Sequence, residues 1–74
     1  MNDTNLYTIS KALTQVTEIR FSYRSPSGSI IPIKGVPTAI RCNKNGLVYV
    51  AVTQPGYGYG TWSVDKIVGF VSYS

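Results

Sequence analysis

The sequence predicts a mainly β fold: a short N-terminal helix followed by a five- or six-stranded antiparallel sheet closing into a small barrel. Three observations carry this. The apolar period changes from 3.6 to 2 near Thr17, turn-forming clusters of Gly, Pro, Asn and Ser recur at short intervals, and 74 residues leave room for one core only. The chain reads as a single domain over residues 1–74, with the helix at about 6–17 and the barrel at about 18–73. Closure would hide the strand edges that otherwise invite aggregation, and the helix would cover one open end. A flat open sheet packed on one helix is the competing architecture.

The helix follows from Ile9, Ala12, Leu13 and Val16, which fall at i, i+3, i+4 and i+7 and form one apolar stripe. Thr8 can cap its start through the hydroxyl; an earlier start with Thr4 as cap would add Leu6 to the stripe. Ile19, Phe21 and Tyr23 then alternate with Arg20, Ser22 and Arg24, a half-buried strand with both arginines on its outer face. Ser25-Pro26-Ser27-Gly28 reverses the chain. Ser29–Lys34 is extended, but Pro32 cannot donate to a ladder, so this strand is an edge or is broken there, and Gly35 and Pro37 punctuate the chain before Thr38–Cys42 resumes. Asn43-Lys44-Asn45-Gly46 has the chemistry of a type I′ hairpin turn, returning Leu47–Thr53 as a strand. Gln54–Gly60 reads as a glycine-rich loop displaying Tyr57 and Tyr59. Thr61–Val64 is a short strand that buries Trp62 and Val64, Asp65-Lys66 a tight connection or 3₁₀ turn, and Ile67–Tyr73 the final strand.

Composition excludes most chemistry. There is no His and one Cys, so imidazole or thiolate metal sites, an intrachain disulfide and Ser/His or Cys/His nucleophile pairs have no residues to build them. The acids Asp3, Glu18 and Asp65 are scattered, which leaves no paired-carboxylate site. Gly56-x-Gly58-x-Gly60 lacks the lysine and following helix of a phosphate loop. The expectation is a non-enzyme without cofactor or metal. No apolar run is long enough to span a bilayer and no targeting segment is legible, which points to a cytoplasmic protein without a membrane partner. Cys42, in an apolar-alternating stretch, reads as a buried small hydrophobe.

The order of elements and three runs resemble a WYL domain, a small SH3-like or Sm-like barrel preceded by a short helix. The runs are Ala12-Leu13 with Ile19-Arg20-Phe21-Ser22-Tyr23 and the Gly28 turn, Pro37-Thr38-Ala39-Ile40 ahead of Gly46-Leu47-Val48-Tyr49-Val50, and Trp62-Ser63-Val64-Asp65-Lys66-Ile67. The resemblance implies an SH3/Sm-like barrel serving as a ligand- or nucleic-acid-sensing regulatory module. The motif is degenerate: Val48-Tyr49-Val50 keeps only the tyrosine of the name-giving triplet. Gly60 and Ile33 stand where the family carries arginines, with Lys34 a shifted substitute for the second. No helix-turn-helix precedes the strands.

The charge of +4 is concentrated. Arg20, Arg24, Lys34, Arg41 and Lys44 lie in the acid-free stretch from Ile19 to Val64, and would form a basic surface suited to phosphates if the fold gathers them. Tyr57 and Tyr59 would add flat surfaces on which bases stack. Tyr23, Tyr49 and Tyr73 line the barrel mouth or its outer face. The expected function is therefore a non-catalytic module binding single-stranded nucleic acid or a nucleotide through Arg20, Arg24, Lys34, Arg41, Lys44, Tyr57 and Tyr59. Two alternatives remain open: a protein-interaction module that docks on or inhibits a larger complex, phage- or defence-related, and a self-assembling Sm-like barrel forming homo-oligomers.

Overall fold

A computed structural model describes residues 3–74; Met1 and Asn2, part of the N-terminal stretch read for targeting signals, lie outside the described residues. The fold is mainly β, one helix α1 (Asp3–Gln15) and five antiparallel strands in one sheet. The strands are β1 (Ile19–Arg24), β2 (Ile30–Cys42), β3 (Val48–Gln54), β4 (Gly58–Ser63) and β5 (Ile67–Tyr73), in the order β4-β3-β2-β1-β5. A 3₁₀ turn over Val64–Lys66 links β4 to β5. Among the described residues no helix is long and apolar enough to cross a membrane.

Helix α1 starts before the expected cap. Thr8 lies inside it and donates its hydroxyl back to the Thr4 carbonyl at 3.0 Å, a local bond that threonine makes mid-helix. The stripe is Asn5, Ile9 and Ala12, all buried, with Leu13 half-buried beside them. Val16 does not extend it. At φ 53° it turns left-handed, Thr17 N–H bonds the Ala12 carbonyl at 2.9 Å and Val16 N–H the Leu13 carbonyl at 3.4 Å. These are the two bonds of a Schellman stop, with a β-branched residue where glycine is usual.

In β1 the alternation holds: Ile19, Phe21 and Tyr23 are buried, Arg20 and Arg24 exposed. Tyr23 therefore belongs to the core, not to a mouth or outer face. The two segments expected on either side of Gly35 are one continuous strand, so five strands form rather than six. Each half of β2 has a partner along one edge only, β1 for Ile30–Gly35 and β3 for Val36–Cys42. A proline nitrogen therefore has an unpaired edge to face, and neither Pro32 nor Pro37 breaks the strand. The change of partner is a bend. There a Cβ on Gly35 would lie 2.4 Å from the Thr53 carbonyl oxygen, so only glycine fits.

The turns use simpler geometry than a type I′ hairpin. At Asn43–Gly46 only Gly46 has positive φ, at 85°; Gly46 N–H bonds the Asn43 carbonyl, and Asn43 Oδ1 accepts the N–H groups of Asn45 and Leu47. This is a three-centre Asx turn followed by a glycine bulge, because the Asn43 side chain supplies an acceptor that the type I′ turn does without. Ser25–Ser29 repeats the backbone pattern with Gly28 at φ 90°. The expected loop over Gln54–Gly60 is shorter: Pro55-Gly56 form a tight turn closed by Tyr57 N–H to the Gln54 carbonyl, and Gly58–Gly60 already pair with β3. Glycine does not prevent pairing when the neighbouring strand supplies the register. Cys42 is exposed, since the β2–β3 hairpin runs beyond the core at that point.

The core joins Ile9 and Ala12 of the helix to Ile19, Phe21, Tyr23, Ile33, Val50, Val52, Val64 and Val71. The ladder does not close: β4 and β5 are the sheet's two edges, because the 3₁₀ turn carries the chain across to the free edge of β1 instead of folding it back as a hairpin. Side chains bridge β4 to β1. Tyr23 Oη accepts the Ser63 N–H at 3.1 Å, and the Tyr23 ring meets Trp62 edge-on at 5.0 Å.

Candidate functional site

Where β1 meets β5 the register jumps. Arg20 pairs Ser72 and Ser22 pairs Val68, so Gly69, Phe70 and Val71 together oppose Phe21. Gly69 takes φ 74°, Val71 turns into the core, and Phe70 is left 70% exposed. Such a bulge breaks backbone pairing, and unpaired backbone groups in a core must find other partners. They find Asn5, only 1% exposed. Its Nδ2 donates to the Gly69 carbonyl and its Oδ1 accepts the Val71 N–H, both at 2.8 Å. The helix thus fixes the bulge that presents Phe70.

Beside Phe70 is a cleft of about 320 Å³, lined by Arg20, Ser22, Pro32, Lys34, Phe70 and Ser72 among others. The cross-strand register explains its charge: Arg20 stands directly opposite Lys34, and in an antiparallel pair opposite residues share a face. A second cleft, of about 410 Å³, is lined by Glu18, Pro32, Lys34, Gln54, Pro55 and Tyr57. The two share Pro32 and Lys34. They adjoin there as a two-part groove, with one exposed aromatic in each part, Phe70 and the 86% exposed Tyr57, and with Arg20 and Lys34 among the lining residues. Glu18 Oε1 lies 3.7 Å from Lys34 Nζ.

The predicted site residues divide accordingly. Arg20, Lys34 and Tyr57 line the groove. Arg24 continues the outer face of β1 beyond it, paired with Ile30. Arg41 and Lys44 are at the far end of the β2–β3 hairpin, past the bend, and Tyr59 is an exposed residue of edge strand β4 opposite Thr53. The basic surface is thus two groups. Phe70, Glu18, Gln54 and Asn5 were not singled out from the sequence. Gly69 inside a strand pattern, followed by adjacent apolar residues Phe70 and Val71, was the available sign of a bulge.

Among the described residues no group of three His, Cys, Asp or Glu could hold a metal ion. No protein-family model matches the chain, and no curated protein is significantly similar to it, so the likeness to WYL domains stands on the quoted runs alone.

Proposed function

We propose that this chain is a non-catalytic binding module that takes single-stranded nucleic acid, or a nucleotide, in the groove between Phe70 and Tyr57. What supports it most is the set of groups in that groove: the Phe70 and Tyr57 rings with Arg20 and Lys34. Phosphates meet the cations and bases stack on the rings, an arrangement that tolerates any base and is worth about 1–3 kcal/mol per stacked base. A duplex buries its base faces and cannot use the rings. Arg24 extends the cationic track along β1 for a longer strand.

Fluorescence anisotropy with short labelled single strands tests this. Two phosphates neutralised by Arg20 and Lys34 give a slope of log K against log salt of about −1.4. The duplex of the same sequence binds more weakly. No salt-sensitive binding at low ionic strength would remove the proposal.

A second reading rests on a different observation. The β4 edge is unpaired and carries exposed Tyr59 beside Gly58 and Gly60, the features of an edge that accepts another strand. A protein partner or a further copy of the chain docking there would be lost on Tyr59→Pro while nucleic-acid binding persists.

A further inference from the structure

The two halves of the groove differ in chemistry. The Phe70 half offers Arg20, Lys34 and the hydroxyl residues Ser22 and Ser72, all suited to an anion. The Tyr57 half offers Lys34 but also Glu18 and the Gln54 amide, together with the exposed Tyr57 ring. A carboxylate is the wrong group for a phosphate and the right one for a base edge that donates hydrogen bonds.

Resting on the proposed nucleic-acid reading, we infer that the Tyr57 half of the groove is a base-reading pocket selective for guanine, with Glu18 as its specificity residue. Single-stranded bases expose their Watson–Crick edges, and these edges rank clearly against a carboxylate. Guanine presents two adjacent donors, N1–H and N2–H, matching the two oxygens of Glu18. Cytosine and adenine present one amino donor next to a ring acceptor. Thymine and uracil present one N–H flanked by two carbonyl oxygens that repel the carboxylate. Tyr57 supplies the stacking face, and Gln54 can donate or accept at the remaining edge. Lys34 lies 3.7 Å from Glu18 Oε1 and also lines the cleft where the adjoining phosphate would lie. One residue thus couples the two halves.

The test uses the whole chain and four labelled hexanucleotides: hexathymidylate, the same strand with one central guanine, with hypoxanthine in place of that guanine, and with 7-deazaguanine. Guanine binds about tenfold tighter than thymine, a bidentate pair's discrimination. Hypoxanthine, lacking the N2 amine, loses most of that gain; 7-deazaguanine, altered only on the other edge, keeps it. In Glu18→Ala the guanine preference falls to within twofold, while hexathymidylate binds more tightly because Lys34 has lost its competing carboxylate. A preference that survives Glu18→Ala, or equal binding of all four strands, overturns the inference and leaves the broader reading standing. No binding of any strand overturns both.

Discussion

Removing the Asn5 amide tests whether helix and bulge are one unit. In Asn5→Ala the Val71 N–H, buried beside the core, loses its acceptor, and the Gly69 carbonyl, partly buried, loses its donor. A buried group left unsatisfied costs about 1–3 kcal/mol. Water can reach the carbonyl in part but not the N–H, so the loss is about 3 kcal/mol. For a domain of this size that lowers Tm by about 12–24 °C. Urea unfolding followed by fluorescence of Trp62, half-buried against Tyr23, measures it directly. Ser72→Ala, an exposed neighbour on β5, is the control and should move stability by less than about 0.5 kcal/mol. Asn5→Asp adds a signature that a cavity cannot mimic. The protonated acid can both donate and accept as the amide does, whereas the carboxylate would be buried without its donor role. Burial raises the folded-state pKa above the unfolded value, so stability is retained at low pH and falls from about pH 4 upward. A loss under about 0.5 kcal/mol in Asn5→Ala, or stability of Asn5→Asp that rises with pH, would refute the account.

Further predictions follow from the same structure. Val16→Gly relieves a left-handed β-branched residue, about 1–2 kcal/mol, and returns part of that through unfolded-state entropy, so a net gain near 1 kcal/mol in urea unfolding is expected. Gly35→Ala drives a Cβ against the Thr53 carbonyl and Val52, neither of which can yield, and costs about 2–3 kcal/mol by the same assay. Tyr57→Ala and Phe70→Ala each weaken single-strand binding about tenfold or more with the salt slope unchanged, whereas Lys34→Ala reduces that slope by about 0.7. Equal effects on slope from aromatic and cationic variants would separate neither role and contradict the division of the groove.

What was legible in the sequence was legible because it is local. The α1 stripe at Ile9 and Ala12, the alternation of β1 and the Gly28 and Gly46 turns depend on neighbours a few residues away and appear where the pattern puts them, while the helix itself runs Asp3–Gln15 and leaves Val16 outside the stripe. The continuity of β2 was not, since Pro32, Gly35 and Pro37 read as breakers unless it is known which edge lacks a partner. The groove was half legible. Arg20, Lys34 and Tyr57 were found by residue type, but their separation from Arg41, Lys44 and Tyr59 is set by the bend at Gly35, a tertiary fact. Phe70 was missed because Gly69 signals a bulge in β5 without saying which of the adjacent apolar residues, Phe70 or Val71, turns into the core. Asn5 was hidden because, read alone, it is a polar residue near a helix start.

The Asn5 bonds join residues 64 and 66 positions apart, whereas the hairpins of β1 with β2 and β2 with β3 close over turns of a few residues. Loop-closure entropy makes the long closure about 2.5 kcal/mol more costly than a four-residue one. The two hairpins on the shared β2 close over short turns, whereas the contact of the first helix with the last strand is of high sequence separation and carries the larger entropic cost. Since Asn5 holds the bulge that presents Phe70, and the Phe70 cleft borders on β5, that cleft depends on the chain's two ends meeting, whereas the Tyr57 cleft is lined without β5.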